Sequence, residues 1–360
     1  CEFRHNRAVG NGGAICHEEG ELTVRDCLIE KSVSKENGGA ICSNNASISK
    51  TAFKANLAGM SGGAVYNSGG RLSIQDCSFE HSSTSLSVSN GGAICNDEGE
   101  VEIAGSAFNN NRSKNYGGAI FTNSRLSISK STFKGNSPKH GGAIYQIAGE
   151  GTVSDCAFSE NSAKWWGGAI FKQECIFNIS DSVFIRNSAD EAAAIYNNHD
   201  ELNVFSSDFH ENISKSDATI FNGDTLNLHK CILKRNVAEG GLGGAILNMG
   251  RIVNIFESVL SENEASDSGG AIFVAYGGVK IKDSVITRNR ASRHGGAICY
   301  GRVAHQDSLE CGQEIGIEDW SGGERLEDGT MEYVIEGSIF DGNVPDDLAN
   351  QFPGRRSDLR

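Results

Sequence analysis

The tetrapeptide Gly-Gly-Ala-Ile returns along this chain at a nearly constant interval. Ten copies, one ending in Val, begin at Gly12, Gly38, Gly62, Gly91, Gly117, Gly141, Gly167, Gly243, Gly269 and Gly295. Two degenerate copies, Ala192-Ala193-Ala194-Ile195 and Asp217-Ala218-Thr219-Ile220, fill the gap between Gly167 and Gly243. The apolar residues that close the motif, from Ile15 to Ile298, follow one another at steps of 24 to 29 residues, most of them 25 or 26. A fixed period in this range requires a solenoid, in which each repeat buries its apolar face only against its neighbours. It also overrides the two-domain expectation for 360 residues, because a solenoid grows in one dimension without splitting.

Within one repeat, such as 117–136, three short apolar runs follow one another. Gly-Gly-Ala-Ile-Phe opens the first, Leu126-Ser127-Ile128 alternates strictly, and Ser131-Thr132-Phe133 leads to Asn136. Runs this short favour strand over helix. Leu-x-Ile recurs as Leu22/Val24, Leu72/Ile74, Val101/Ile103 and Phe177/Ile179; Phe-x-x-Asn recurs as Phe53/Asn56, Phe108/Asn111, Phe158/Asn161 and Phe209/Asn212. The pattern predicts an all-β parallel β-helix of about 12 coils of about 26 residues, with three short strands per coil. Leucine-rich repeats need a different consensus, and the G-G-x-G-x-D nonapeptide of calcium β-rolls is absent from the sequence.

Stacking places like residues above one another at the strand spacing, so each column of the repeat has a physical reading. The Asn column predicts an amide ladder that satisfies buried turn carbonyls. The paired glycines supply positive φ or close backbone approach. Either the Ala or the Ile of the motif faces inward; the size and constancy of Ile suit a filled core. Eleven cysteines cannot all pair internally. Cys27, Cys77, Cys156 and Cys231 share a column with Ser and Thr, which reads as small buried filler. The alternative is disulfide formation, best placed for Cys16–Cys42, Cys1–Cys27 and Cys299–Cys311. The sequence holds no C-x-x-C, so zinc and thioredoxin-like readings have no frame.

Together, Gly-Gly-Ala-Ile and Phe-x-x-Asn resemble the repeats of chlamydial polymorphic outer membrane proteins, with related repeats in other bacterial surface and secreted proteins. The resemblance runs from Cys1 to Ile298, with a last partial coil to Asn343. It implies a right-handed single-stranded parallel β-helix, a pectin-lyase-like solenoid. It further implies a passenger domain displayed by an outer-membrane barrel or secreted, often adhesive, and hence an extracellular or cell-surface location. No barrel-sized set of amphipathic strands follows the repeats in this sequence. The implied organisation is 1–302 as repeats, 303–332 as an insertion loop in the last coil or an end cap, 333–343 as the last partial coil, and 344–360 as a polar tail. The chain begins at Cys1, in the back half of a repeat, which reads as a piece of a longer protein.

A net charge of −14 argues against nucleic acid, which selects a basic stripe. No apolar run of about 18 residues is present, so no transmembrane helix is expected. The expected partners are glycans or host and cell-surface proteins, bound by a monomer without a cofactor or metal.

Because the repeat explains most residues structurally, departures from it are the functional candidates. Tyr116, His140 and Trp166 precede the glycines of three successive coils, with Trp165 beside the last. At coil spacing these rings make an aromatic strip suited to a sugar or a protein hot spot, or a self-stacked turn. Trp320, in the acidic 303–332 segment, is a further candidate. Coils eight and nine lose the glycines and gain Asp190, Glu191 and Asp217, with Asp200 and Glu201 nearby; these read as a solvated acidic turn more readily than as a calcium site. The alternative function is a polysaccharide lyase or hydrolase. Hydrolysis would need carboxylates about 5–10 Å apart. His140-Gly141 and His294-Gly295 resemble a polygalacturonase His-Gly but lack the partnering aspartates. No catalytic set is assigned from the sequence, and fold alone does not license one.

Overall fold

A computed structural model describes residues 1–302, 310–311 and 333–344. The regular structure in these residues is β-strand throughout, and no helix among them is long and apolar enough to cross a membrane. The chain forms two compact units. The first holds Cys1–Ala189 and Ala194–Tyr196; the second holds Asp190–Ala193 and the described residues from Asn197 onward.

In the first unit a typical coil carries strands Ile120–Thr122, Leu126–Ser129 and Thr132–Lys134. Each lies parallel to its equivalent one coil on, with Ile120 opposite Ile144, Ile128 opposite Val153 and Phe133 opposite Phe158. In strands Ile144–Ser154 and Ile170–Ser180 the first two runs merge. Coils of the second unit stack the same way: Ile220 on Ile246, Leu228 on Ile255, Leu233 on Leu260. After 303–332, Tyr333 lies opposite Val279 and Ile339 opposite Val285, so the last partial coil continues the ladder. Beyond the three expected strands, several coils add a two-residue strand, such as Val33–Ser34 and Leu57–Ala58 in the first unit and Val237–Ala238 and Glu264–Ala265 in the second.

The register dictates the core. Ile41, Val65, Ile94, Ile120, Ile144 and Ile170 are fully buried, and so are the alanines before them. The Ala–Ile alternative therefore resolves as both. The backbone N–H groups of Ala40 and Ile41 both donate to the carbonyl of Ala64 at 2.9 Å, which pins the alanine in the turn. Burial of each Ile contributes roughly 1.5–3 kcal/mol. Phe53, Phe79, Phe108, Phe133, Phe158 and Phe184 form a continuous stack with centroids 4.6–4.8 Å apart and planes within 4°. Isolated aromatic pairs prefer offset or edge-on geometry; here the strand spacing imposes the parallel arrangement.

The expected amide ladder is present. Asn136 Nδ2 donates to Asn161 Oδ1 at 2.9 Å and to the Phe108 carbonyl at 2.9 Å, and Asn161 repeats the pattern toward Asn187 and Phe133. In the second unit Asn212, Asn236, Asn263, Asn289 and Asn343 are linked by Nδ2–Oδ1 bonds of 2.9 Å. Cysteine replaces serine in a second ladder without losing the bonds. The Cys77 backbone N–H donates to Ser106 Oγ at 3.1 Å, and its thiol donates to the Gln75 carbonyl at 3.2 Å, as Ser106 does to Ala104 at 2.9 Å. Cys1, Cys16, Cys27 and Cys42 are free thiols, so neither staple between the first two coils is formed. Cys299 is disulfide-bonded, and the Gly301 backbone pairs with that of Cys311.

Glycine is required where the motif turns. Gly117 has φ +62°, and a Cβ there would stand 2.1 Å from the Ile120 carbonyl oxygen. At Gly118 a Cβ would stand 2.2 Å from the Gly142 oxygen of the next coil. The first position demands a left-handed backbone and the second demands close approach, which explains the doublet.

Candidate binding surface

The tight Gly-Gly turn folds the residue before it over the residue that follows the buried Ile. Tyr116, His140 and Trp166 thereby fall into register, each bridged in parallel to the next. Gly117 N–H donates to the His140 carbonyl at 3.0 Å and Gly141 N–H to that of Trp166 at 2.9 Å, fixing the row at coil spacing.

Beneath it lies a second row, made of the residues that follow Ile120, Ile144, Ile170 and Ile195. Phe121, Tyr145, Phe171 and Tyr196 point away from the core interior. Phe171 stacks on Tyr145 at 4.5 Å and 1°, and Tyr196 on Phe171 at 5.0 Å and 11°. Phe121, Tyr145 and Phe171 are 3–6% exposed because the front row covers them. Tyr116 lies 4.4 Å from Tyr145, and Trp166 lies 6.1 Å from Phe171 and 5.5 Å from Tyr196. Burial raises the Tyr145 phenol above its usual range.

The front row is unevenly exposed. His140 is 5% exposed, wedged between Tyr116 at 5.4 Å, Trp165 at 5.0 Å and Trp166 at 4.7 Å. Burial, helped by the charge of Lys139, pushes its pKa down to about 4, so the ring is neutral at pH 7. Its Nδ1 is buried without a hydrogen-bond partner. Trp165 and Trp166 keep 38% and 39% of their surface in solvent. The Nζ atoms of Lys139 and Lys164 lie 5.4 and 5.2 Å from the Trp165 ring centroid.

Tyr116, His140, Trp165 and Trp166 are thus brought together; Trp320 lies outside the described residues. The strip is packed at one end and exposed at the other. Tyr116 and His140 are packing groups, whereas the two tryptophans present faces to solvent. The sequence reading missed the supporting rings and the two lysines. Lys139 and Lys164 stand immediately before His140 and Trp165, the only signal that could have flagged them.

In the second unit the acidic residues are partly structural. Asp217 Oδ1 accepts the Leu242 N–H at 2.7 Å, and Asp190 pairs with Lys215 at 3.0 Å. Burial first, then the neighbouring charges of Asp217 and Asp190, raises the Glu191 carboxyl. Among the described residues no group of three or more His, Cys, Asp or Glu side chains is arranged to hold a metal ion. The neighbours of His140 are aromatic rings, and Lys139 is the charge that acts on it.

Residues 62–233 match the family model of the right-handed β-helix region. Comparison with curated proteins and with solved structures returned no match. The matched span contains the coils that carry the aromatic surface, and together with the in-register parallel stacking it identifies the fold as a right-handed parallel β-helix.

Proposed function

We propose that this β-helix is a binding module, displayed at a cell surface or secreted, with Trp165 and Trp166 as its ligand-facing anchors. The observation that carries the reading is the contrast in exposure between two neighbouring indoles, at 38% and 39%, and the nearly buried rings that support them. Binding hot spots favour large aromatic side chains held on a rigid, pre-ordered base, since little side-chain freedom is then lost on association. A stack of rings on hydrogen-bonded strands provides that base. The resemblance of the repeats to those of adhesive bacterial surface proteins supports the same reading, with glycans or cell-surface proteins as partners.

A binding role is also favoured over catalysis at this surface. Glycosidic hydrolysis takes a pair of carboxylates, whereas the imidazole of His140 and the ammonium groups of Lys139 and Lys164 pack against the Trp165 ring. The test is a Trp165→Ala/Trp166→Ala variant, assayed for binding to cultured cells and to a glycan array. Binding, measured below the lowered melting point that truncation of two packed indoles brings, should fall about tenfold or more while the far-ultraviolet circular dichroism stays that of the parent. Unaltered binding to every ligand of the parent removes this surface from the function.

A further inference from the structure

We propose that the Trp165/Trp166 surface takes an anionic glycan, whose carboxylate or sulfate lies between Lys139 and Lys164 while a sugar face rests on an indole. This rests on the reading of the surface as a binding site and names the ligand class.

The chain carries −14 overall, yet two ammonium groups lie against one of these indoles. The two ammonium groups come from successive coils and converge on one ring, at 5.4 and 5.2 Å from its centroid. Among the described residues neither is held in an ion pair, whereas Lys54, Lys134 and Lys234 each face a glutamate. Lying beside an apolar ring without a carboxylate partner, the two ammonium groups are available to an anion.

A polar atom without a partner lies beneath the indoles. His140 is 5% exposed, its ring packs against both indoles, and its Nδ1 has no hydrogen-bond partner. Buried polar atoms are nearly always satisfied, so the unpartnered Nδ1 packed against both indoles marks a surface whose polar groups the fold alone does not satisfy.

The exposed indoles offer flat apolar area with a cationic edge, which suits a ring that is apolar on one face and charged at its rim. A charged sugar has that form. Inorganic sulfate or phosphate would use the lysines and leave the indoles idle.

The experiment titrates the full chain with a heparin oligosaccharide, a hyaluronan oligosaccharide and a neutral chitin oligosaccharide of equal length, following tryptophan fluorescence and calorimetry. At least one acidic oligosaccharide should bind about tenfold or more tighter than the neutral one; which of them does so separates sulfate from carboxylate recognition. Lys139→Ala/Lys164→Ala should weaken that binding about tenfold or more with an unchanged melting profile, and Lys139→Arg/Lys164→Arg should retain it. Inorganic sulfate should compete only weakly. The proposal is overturned if no acidic oligosaccharide binds, if the neutral one binds equally well, or if the alanine pair leaves affinity unchanged. A neutral glycan or a protein that loses binding in Trp165→Ala/Trp166→Ala but keeps it in the lysine variant overturns the anionic assignment and leaves the binding surface standing. Acidic-glycan binding that survives the tryptophan variant overturns both.

Discussion

The imidazole of His140 packs 4.7 Å from the indole of Trp166 and has almost no contact with solvent. Its neighbours are rings from three coils, and its pKa is about 4 against an ordinary 6.5. A histidine held below its unfolded value binds its proton more readily in the unfolded chain. The stability contributed by the neutral ring is therefore complete above about pH 6.5 and is lost as pH falls toward 4.

A His140→Gln variant should consequently show a flatter loss of stability between pH 7 and pH 4.5 than the parent. The divergence at the acid end should reach up to about 3 kcal/mol. Urea unfolding followed by tryptophan fluorescence at several pH values measures it. Parallel profiles for the two proteins would mean that the ring is not kept neutral by its packing.

Ile170 is fully buried and lies opposite Ile144 in the parallel ladder. Ile170→Asp places a carboxylate in that apolar column. Destabilisation should be at least about 4 kcal/mol, whereas Ile170→Val should cost about 1 kcal/mol. Thermal melting distinguishes them; a near-parental melt for the aspartate variant would mean that this position does not face the core.

The amide ladder is interrupted at Ser82. Its backbone N–H still donates to Asn111 Oδ1 at 3.0 Å, but its hydroxyl is buried and unpartnered. Restoring the column residue in Ser82→Asn should add side-chain bonds of the kind Asn111 makes to Asn136 and Phe79. A gain of about 1 kcal/mol is expected. Loss of stability in this variant would show that the serine coil is too tight for an amide.

These residues also show what the sequence could convey. The period of Gly-Gly-Ala-Ile and the recurrence of Phe-x-x-Asn were sufficient for coil count, register and the Asn ladder, because stacked coils turn a repeat directly into columns. A second interior row was equally periodic but went unread. Two positions after each anchor stand Ser43, Asn67, Asn96, Thr122, Gln146 and Lys172, all buried. Asn67 Nδ2 reaches Asn96 Oδ1 at 2.6 Å, and Lys172 Nζ donates to the Cys175 carbonyl at 2.7 Å. Its varied residue types hid a common role, which is to satisfy polar groups of the segment between the first and second runs of the coil. The strip was legible as four residues, Tyr116, His140, Trp165 and Trp166. Which of them would remain exposed was not, since that depends on how the Gly-Gly turn aims each ring over Phe121, Tyr145 and Phe171. The lysines escaped notice because a cation's neighbourhood to an indole on the adjacent coil is set by side-chain geometry rather than by spacing.

In the second unit the sign of the pH effect reverses. Burial is the leading influence on Asp217 and raises its carboxyl pKa; the Leu242 N–H opposes this and the charge of Asp267 adds to it. A carboxyl raised on folding contributes stability that is full below its unfolded pKa and lost as pH rises through the folded value. At neutral pH the charge on Asp217 is therefore a net burden, while its Oδ1 remains useful as the acceptor for Leu242 N–H at 2.7 Å. Asparagine keeps that acceptor and removes the charge. Asp217→Asn should raise the stability of this unit at pH 7, with the gain shrinking as the pH approaches 4. Melts of parent and variant at pH 7 and pH 4.5 provide the comparison. A gain of equal size at both pH values would assign the effect to something other than the buried charge, and a loss at pH 7 would mean that the carboxylate is better accommodated here than its burial implies.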